Sequence, residues 1–247
     1  MLAGPLMKRG FCGLVVFCVV TINVVAQAPV GGAVYTWDRY WDSSQSVPVS
    51  AATRSLIPSN AVVEADFFAD LGRDEEVTVY AVPVDQIESR VFVLFSHHGL
   101  LLQRSEIDDF VSGGSPVEFK AAAFFHSGNL RAVFVAASVG FDGAGNSFFA
   151  IARRKNRYSV IWRRQAAEGR IVLKSQPAGL TLFGVDWRGE CVWCAHHYKS
   201  QEFRWNGSTF RAGNRHKIKG LLSPELFSET PIVFEGLEGV KVETQRH

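Results

Sequence analysis

Apolar and polar positions along this chain recur over a long period rather than a helical one. A short apolar run, a glycine-bearing turn, a β-branched or aromatic run, a loop and a hairpin follow one another three times, over about residues 62–105, 117–164 and 170–213. Repetition at roughly 50 residues marks repeated β modules. The inner turns are read at Ala69-Asp70-Leu71-Gly72, His126-Ser127-Gly128-Asn129 and Trp187-Arg188-Gly189-Glu190. Each precedes a run of strand formers: Val77-Thr78-Val79-Tyr80, Ala132-Val133-Phe134-Val135 and Cys191-Val192-Trp193-Cys194. Three hairpins follow, turning at His97-His98-Gly99, Lys155-Asn156 and Asn206-Gly207. The last is the firmest, because Asn-Gly supplies the positive φ angles of a type I′ turn.

Four strands per copy predict an all-β fold, a propeller-like array of about three four-stranded antiparallel modules, with a β-sandwich of the same meanders as the alternative. The flanking runs Val34-Tyr35-Thr36-Trp37, Pro231-Ile232-Val233-Phe234 and Val240-Lys241-Val242 are candidate closing strands. No long segment shows a 3.6-residue period. Residues 47–60, rich in serine with Pro48 and Pro58, read as a linker or lead-in. Ser223-Pro224-Glu225-Leu226-Phe227 can start one helical turn, with serine as cap and proline in the first helical position.

The segment Ala65-Asp66-Phe67-Phe68-Ala69-Asp70-Leu71-Gly72-Arg73-Asp74-Glu75-Glu76-Val77-Thr78-Val79-Tyr80 resembles one repeat of the FG-GAP or VCBS type, the integrin-like β-propeller family. That resemblance implies a ligand-binding or scaffolding propeller whose turn would carry an Asp-x-Asp-x-Asp-Gly calcium loop. Here the loop is shortened to Asp70, Asp74 and Glu75. The second copy has His126 and Asn129 in its place, and the third has Asp186 and Glu190. Calcium takes six to eight oxygen ligands, so such a loop is a poor calcium site.

The ends read differently from the repeats. Lys8 and Arg9, the apolar run of residues 10–25, and Ala26-Gln27-Ala28 have the order of a signal peptide over 1–28. The expected organisation is then a lead-in over 29–60, a β-repeat domain over 61–220 and a C-terminal extension over 221–247. Localisation is expected to be secreted or periplasmic, with no membrane span after cleavage. An uncleaved anchor is the competing reading, disfavoured by the short apolar run and by Asn23 within it. Without the leader the chain is formally neutral, with 24 basic and 24 acidic residues, yet charge is segregated along it. Residues 61–120 hold 12 acids and 4 bases, whereas 121–220 hold 5 acids and 16 bases. Such asymmetry fits complementary neighbouring modules or a basic face for an anionic partner.

Arg153, Arg154, Lys155 and Arg157 are the candidate ligand-binding residues; with Arg163 and Arg164 after them they flank the second hairpin, with Tyr158 and Trp162 interleaved. Arginine and aromatic residues on a β surface bind anionic glycans or nucleic acids. A cationic edge that blocks strand-to-strand aggregation is the plainer alternative. Export argues against nucleic acid, leaving a protein or an anionic polymer on the cell surface as partner.

The densest reactive cluster is Cys191-Val192-Trp193-Cys194-Ala195-His196-His197. Four readings compete: a zinc or copper site on Cys191, Cys194, His196 and His197, a C-x-x-C disulfide that is inert or redox-active, a c-type haem site, and simple strand packing. Haem is disfavoured because Ala195 separates the second cysteine from the histidine. A strand sends residues i and i+3 to opposite faces, so convergence of the thiols requires a bend. His97-His98 reads as a solvated hairpin tip, Asp108-Asp109 as an acidic loop, residues 140–147 as a connector and Asn206-Gly207-Ser208 as a glycosylation acceptor. No Gly-x-Ser-x-Gly or His-Glu-x-x-His motif occurs. The expectation is a non-enzymatic binding or scaffold protein, and the alternative is a metal- or thiol-dependent enzyme centred on the Cys-His cluster.

Overall fold

The structure, a computed structural model, describes residues 34–36, 48–84, 89–107, 117–139, 145–191, 194–222 and 230–236. These form three β-sheets and one short helix. The first sheet is a meander of β2 (Val62–Ala69), β3 (Glu75–Pro83), β4 (Ser89–His97) and β5 (Leu100–Glu106). The second runs through β6 (Val117–Ser127), β7 (Leu130–Val139), β8 (Gly145–Arg154) and β9 (Arg157–Ala167), with β1 (Val34–Thr36) added beside β6. The third runs through β10 (Arg170–Ser175), β11 (Ala178–Val185), β12 (Tyr198–Trp205) and β13 (Phe210–Lys217). There β14 (Ile232–Phe234) joins β10 in parallel, whereas the other strand pairs among the described residues are antiparallel. Two of the three flanking runs are thus strands; Val240-Lys241-Val242 and the Ser223-Pro224 segment lie outside the described residues, as does the leader.

The second sheet is the middle layer. On one face Ala122, Val133, Val135, Phe149 and Ile151 share a core with Ala65, Phe67, Val77, Val79, Val93 and Phe95 of the first sheet. On the other, Ala121, Ala123, Phe125, Phe134, Phe148 and Trp162 meet Ile171, Leu173, Leu180, Phe203, Phe210 and Ile232 of the third. Burial on both faces removes the usual in-out alternation. It accounts for the unbroken apolar runs in β6, β7 and β8. Gly184 marks how closely the layers approach, since a Cβ there would lie 2.8 Å from the Cβ of Ala166. Among the described residues no core cluster joins the first sheet to the third, so the modules form a three-sheet array in which ring closure is not seen.

Residues 48–61 are more than a linker. Ser50 caps α1 (Ala51–Arg54) by accepting the Thr53 N–H at 3.0 Å, as expected of a serine before a first helical turn. Val49, Leu56, Ile57 and Ala61 then cover Val63, Tyr80 and Leu94 on the outer face of the first sheet. None of the described helices is long and apolar enough to cross a membrane.

The third module is threaded one strand away from the expected alignment. Its first hairpin turns at Gln176 and Pro177 between β10 and β11, while Trp187-Arg188-Gly189-Glu190 belongs to the connection from β11 to β12. Cys191 and Cys194 do not sit in a strand: they are joined by a disulfide, and the Cys194 N–H donates to the Cys191 carbonyl at 3.0 Å, which is a turn. A disulfide between i and i+3 is incompatible with extended backbone, because those side chains would diverge.

Candidate anion-binding surface

In each meander the first-to-second and third-to-fourth strands are joined by tight turns, so all six hairpin turns gather at one end of the array. Hydrogen bonds lace that end together across the sheets. Arg131 Nη1 reaches both carboxylate oxygens of Asp70 at 2.8 Å, and Ser127 Oγ donates to the Ser175 carbonyl at 2.6 Å. Trp205 Nε1 donates to Asn129 Oδ1 at 2.8 Å, and Arg154 Nη2 to the Ser208 carbonyl at 2.6 Å.

Glu75 is the central node. It is fully buried, its Oε2 accepts the backbone N–H groups of Leu71 at 2.9 Å and Arg73 at 3.1 Å, and its Oε1 accepts the Tyr158 hydroxyl at 3.0 Å. Arg153 lies 3.5 Å from the same oxygen. Burial and the adjacent carboxylate both push the Tyr158 phenol above its ordinary range, so it stays a donor. Two of the three acids of the resembled calcium loop are therefore engaged by protein donors: Glu75 as described, and Asp70 by the Gly72 N–H and Arg131.

Between these turns lies an open cleft of about 620 Å³ lined by Asn129, Arg131, Arg153, Arg154, Trp205 and Ser208 among others. Arg153 and Arg154 thus share one cleft. Lys155 occupies the hairpin tip with φ of 57°, and Arg157 opens β9 beyond it. Both residues are exposed. The sequence missed the partners from the other modules, Asn129, Arg131 and Trp205, because their proximity is set by packing between sheets. It also placed Tyr158 and Trp162 on the surface, whereas both are buried: Tyr158 stacks on Phe95 at 4.0 Å, and Trp162 packs edge-on against Phe203 at 5.3 Å. What the aromatic rings support is the core beneath the charges. Arg164 lies over the Phe203 ring at 5.4 Å.

Two stretches that contribute to the cleft are dense in cations. The β8–β9 hairpin from 153 to 164 carries Arg153, Arg154, Lys155, Arg157, Arg163 and Arg164, and residues 204–219, which include β13, carry Arg204, Arg211, Arg215, Lys217 and Lys219. Neither stretch contains an aspartate or glutamate. All of these cations except Arg153, which is partly buried, are exposed, and β9 and β13 are the outer edges of adjacent sheets. The absence of acids over both stretches was legible in the sequence as a compositional signal; their meeting at Arg154 and Ser208 was not.

The Cys-His cluster lies at the opposite end and does not assemble as a four-donor site. The two sulfurs are bonded to each other. His196 is fully buried with Nε2 3.5 Å from Glu168 Oε2, to which the Tyr198 hydroxyl also donates at 3.2 Å. His197 Nδ1 instead lies 2.5 Å from Glu190 Oε1. That contact, with backbone donors, holds the Glu190 carboxyl down to about 2. Among the described residues no group of three or more His, Cys, Asp or Glu side chains is placed to hold a metal ion. The zinc or copper expectation at Cys191, Cys194, His196 and His197 is not met, because one imidazole is turned into the core and the other is taken by a carboxylate. His97 and His98 form a hairpin tip with rings 4.1 Å apart, and His126 Nε2 sits 3.2 Å from the Gly128 carbonyl of its own turn.

No family model matches the chain, and neither the curated proteins nor the solved structures compared with it give a match.

Proposed function

We propose that this is an exported, non-enzymatic β-module protein that binds an anionic polymer across the cationic hairpins of its second and third modules. One observation carries the reading: eleven cations lie on two stretches without an acid in adjacent sheets. The stretches meet where Arg154 Nη2 donates to the Ser208 carbonyl, and one of the cations, Arg204, is paired with Glu202 at 3.4 Å on β12. Exposed charges of one sign on adjacent sheets sum their potentials over a surface rather than a point. Residues two apart on a strand repeat at about 7 Å, as Arg215 and Lys217 do on β13. A regular polyanion therefore meets charge repeatedly along its length. The cleft at the hairpin end, with Arg154 bonded only through a neutral carbonyl, is where a single carboxylate or sulfate group would enter. Export is supported by Lys8, Arg9 and the apolar run before Ala26-Gln27-Ala28.

The test is binding of a sulfated polysaccharide and a polyuronate to the protein at several ionic strengths, with the charge-reversed variant Arg154→Glu/Arg157→Glu/Arg211→Glu/Arg215→Glu alongside. Binding is expected at 0.15 M salt and to vanish at 1 M, where the screening length falls to about 3 Å. The variant is expected to lose at least tenfold in affinity with unchanged circular dichroism. Equal affinity of variant and parent, or increased aggregation as the sole effect, would reduce the cations to guards of the sheet edges.

A further inference from the structure

At the end remote from the cationic hairpins, we infer that the Cys191–Cys194 disulfide is a thiol-exchange site, opened by low-molecular-weight thiols or by a dithiol protein, and is not a brace of the fold. The inference is independent of the anionic-polymer reading. Both cysteines are exposed to solvent. The ring they close spans a sequence separation of only 3, and the chain constraint from a disulfide shrinks with the length of the loop it closes. The surrounding connection is held without it. Its base is shut by the Asp186 N–H donating to the His197 carbonyl at 2.7 Å, and His196 exchanges two backbone hydrogen bonds of 2.9 Å with Leu222. Glu190 ties the interior, accepting the Arg188 N–H at 2.7 Å on one oxygen and facing His197 Nδ1 at 2.5 Å on the other. The Trp187 ring packs on buried His196 at 4.5 Å. Anchors therefore stand on both sides of the disulfide, and opening it removes none of them.

An exposed disulfide is open to in-line attack, and exposed bridges are the labile class. A thiolate of the partner attacks one cysteine sulfur, the S–S bond breaks, and the other cysteine leaves as a thiolate that takes a proton from water. A second partner thiolate then attacks the partner sulfur of the mixed disulfide and releases the remaining cysteine. Two partner thiols are oxidised to one disulfide while Cys191 and Cys194 are reduced to two thiols.

The test treats the full native chain with a graded series of glutathione redox buffers, followed by alkylation and peptide mapping, so that Cys191 and Cys194 are scored apart from Cys12 and Cys18. Expected are labelling of both cysteines under reducing ratios with an unchanged β-sheet circular dichroism spectrum. Cys194→Ser is expected to trap one glutathione on Cys191, seen by mass. A bridge that stays closed under reducing ratios until denaturant is added would overturn the inference. So would loss of the folded spectrum on reduction, or in the Cys191→Ser/Cys194→Ser variant, since either makes the bridge a structural brace.

Discussion

Asp66 offers a direct test of how the first sheet carries its acids. It lies on β2 opposite Thr78, whose hydroxyl donates to Asp66 Oδ1 at 2.7 Å. Glu76 stands two residues before Thr78 on β3, is buried, and has Ser96 Oγ at 3.4 Å. Burial raises the Asp66 carboxyl from 3.8 to about 6; the Thr78 bond pulls it down, and Glu76 pushes it further up. The folded state therefore holds this proton more firmly than the unfolded chain. Below about pH 3.8 both states are protonated and nothing is lost. Between there and about pH 6 stability falls as pH rises, and above 6 the penalty is constant. The full gap corresponds to about 3 kcal/mol, and partial solvation of the side chain cuts it to on the order of 1–2 kcal/mol. Asp66→Asn keeps an acceptor for Thr78 and removes the charge. It is expected to raise the urea-unfolding free energy at pH 7.5 by that amount, and Tm by roughly 2–8 °C, while matching the parent below pH 4. A variant no more stable than the parent at pH 7.5, or one whose gain is the same at every pH, would refute the reasoning.

Two further perturbations probe the joints between sheets. Glu75→Ala removes a fully buried carboxylate that satisfies two backbone donors, Tyr158 and Arg153, so a loss of about 3–5 kcal/mol is expected from urea denaturation; Glu75→Gln, which keeps the shape, should lose less. Trp162→Ala empties the contact with Phe134, Phe203 and Phe210 between the second and third sheets. A large aromatic truncated in a core costs about 3–5 kcal/mol, read as a fall in Tm; an effect under 1 kcal/mol would mean that the sheets do not share that core.

The three-module frame was readable because turns and strand runs are set by local chemistry. The turn sites at Asn206-Gly207 and Lys155-Asn156 were legible from residue type, but the expected type I′ turn at Asn206-Gly207 is not formed. The loop spans 206–209 with Trp205 opposite Phe210, Gly207 but not Asn206 has a positive φ, and Asn206 Oδ1 accepts the Ser208 and Thr209 N–H groups. The third module was misaligned for a related reason. Leu182-Phe183-Gly184-Val185 followed by Gly189 imitates an inner turn, but the first strand of that module, β10, starts earlier at Arg170 and turns through Gln176-Pro177, which carries no glycine. The aromatic residues Tyr158 and Trp162 were legible as strand residues but not as buried ones. Alternation assigns faces, whereas only the stacking of layers decides whether a face meets water. The same limit hid the cleft, whose lining comes from β6–β7, β8–β9 and β12–β13 at once.

That layering also explains where this protein keeps its charge. With both faces of the second sheet covered, its polar residues are left with strand ends and the outer edge, and β9 carries Arg157, Arg163 and Arg164 there. The third sheet repeats the device on β13 with Arg211, Arg215 and Lys217. The first does not: β5 opens with Leu100, Leu101 and Leu102, all exposed, and reaches its charges only at Arg104 and Glu106. If the cations served only to keep edges from pairing, the most apolar edge would need them most, and it begins without them. The charges instead accumulate on the two modules whose hairpins adjoin at the cleft, a distribution that edge protection leaves unexplained and a shared anionic ligand accounts for.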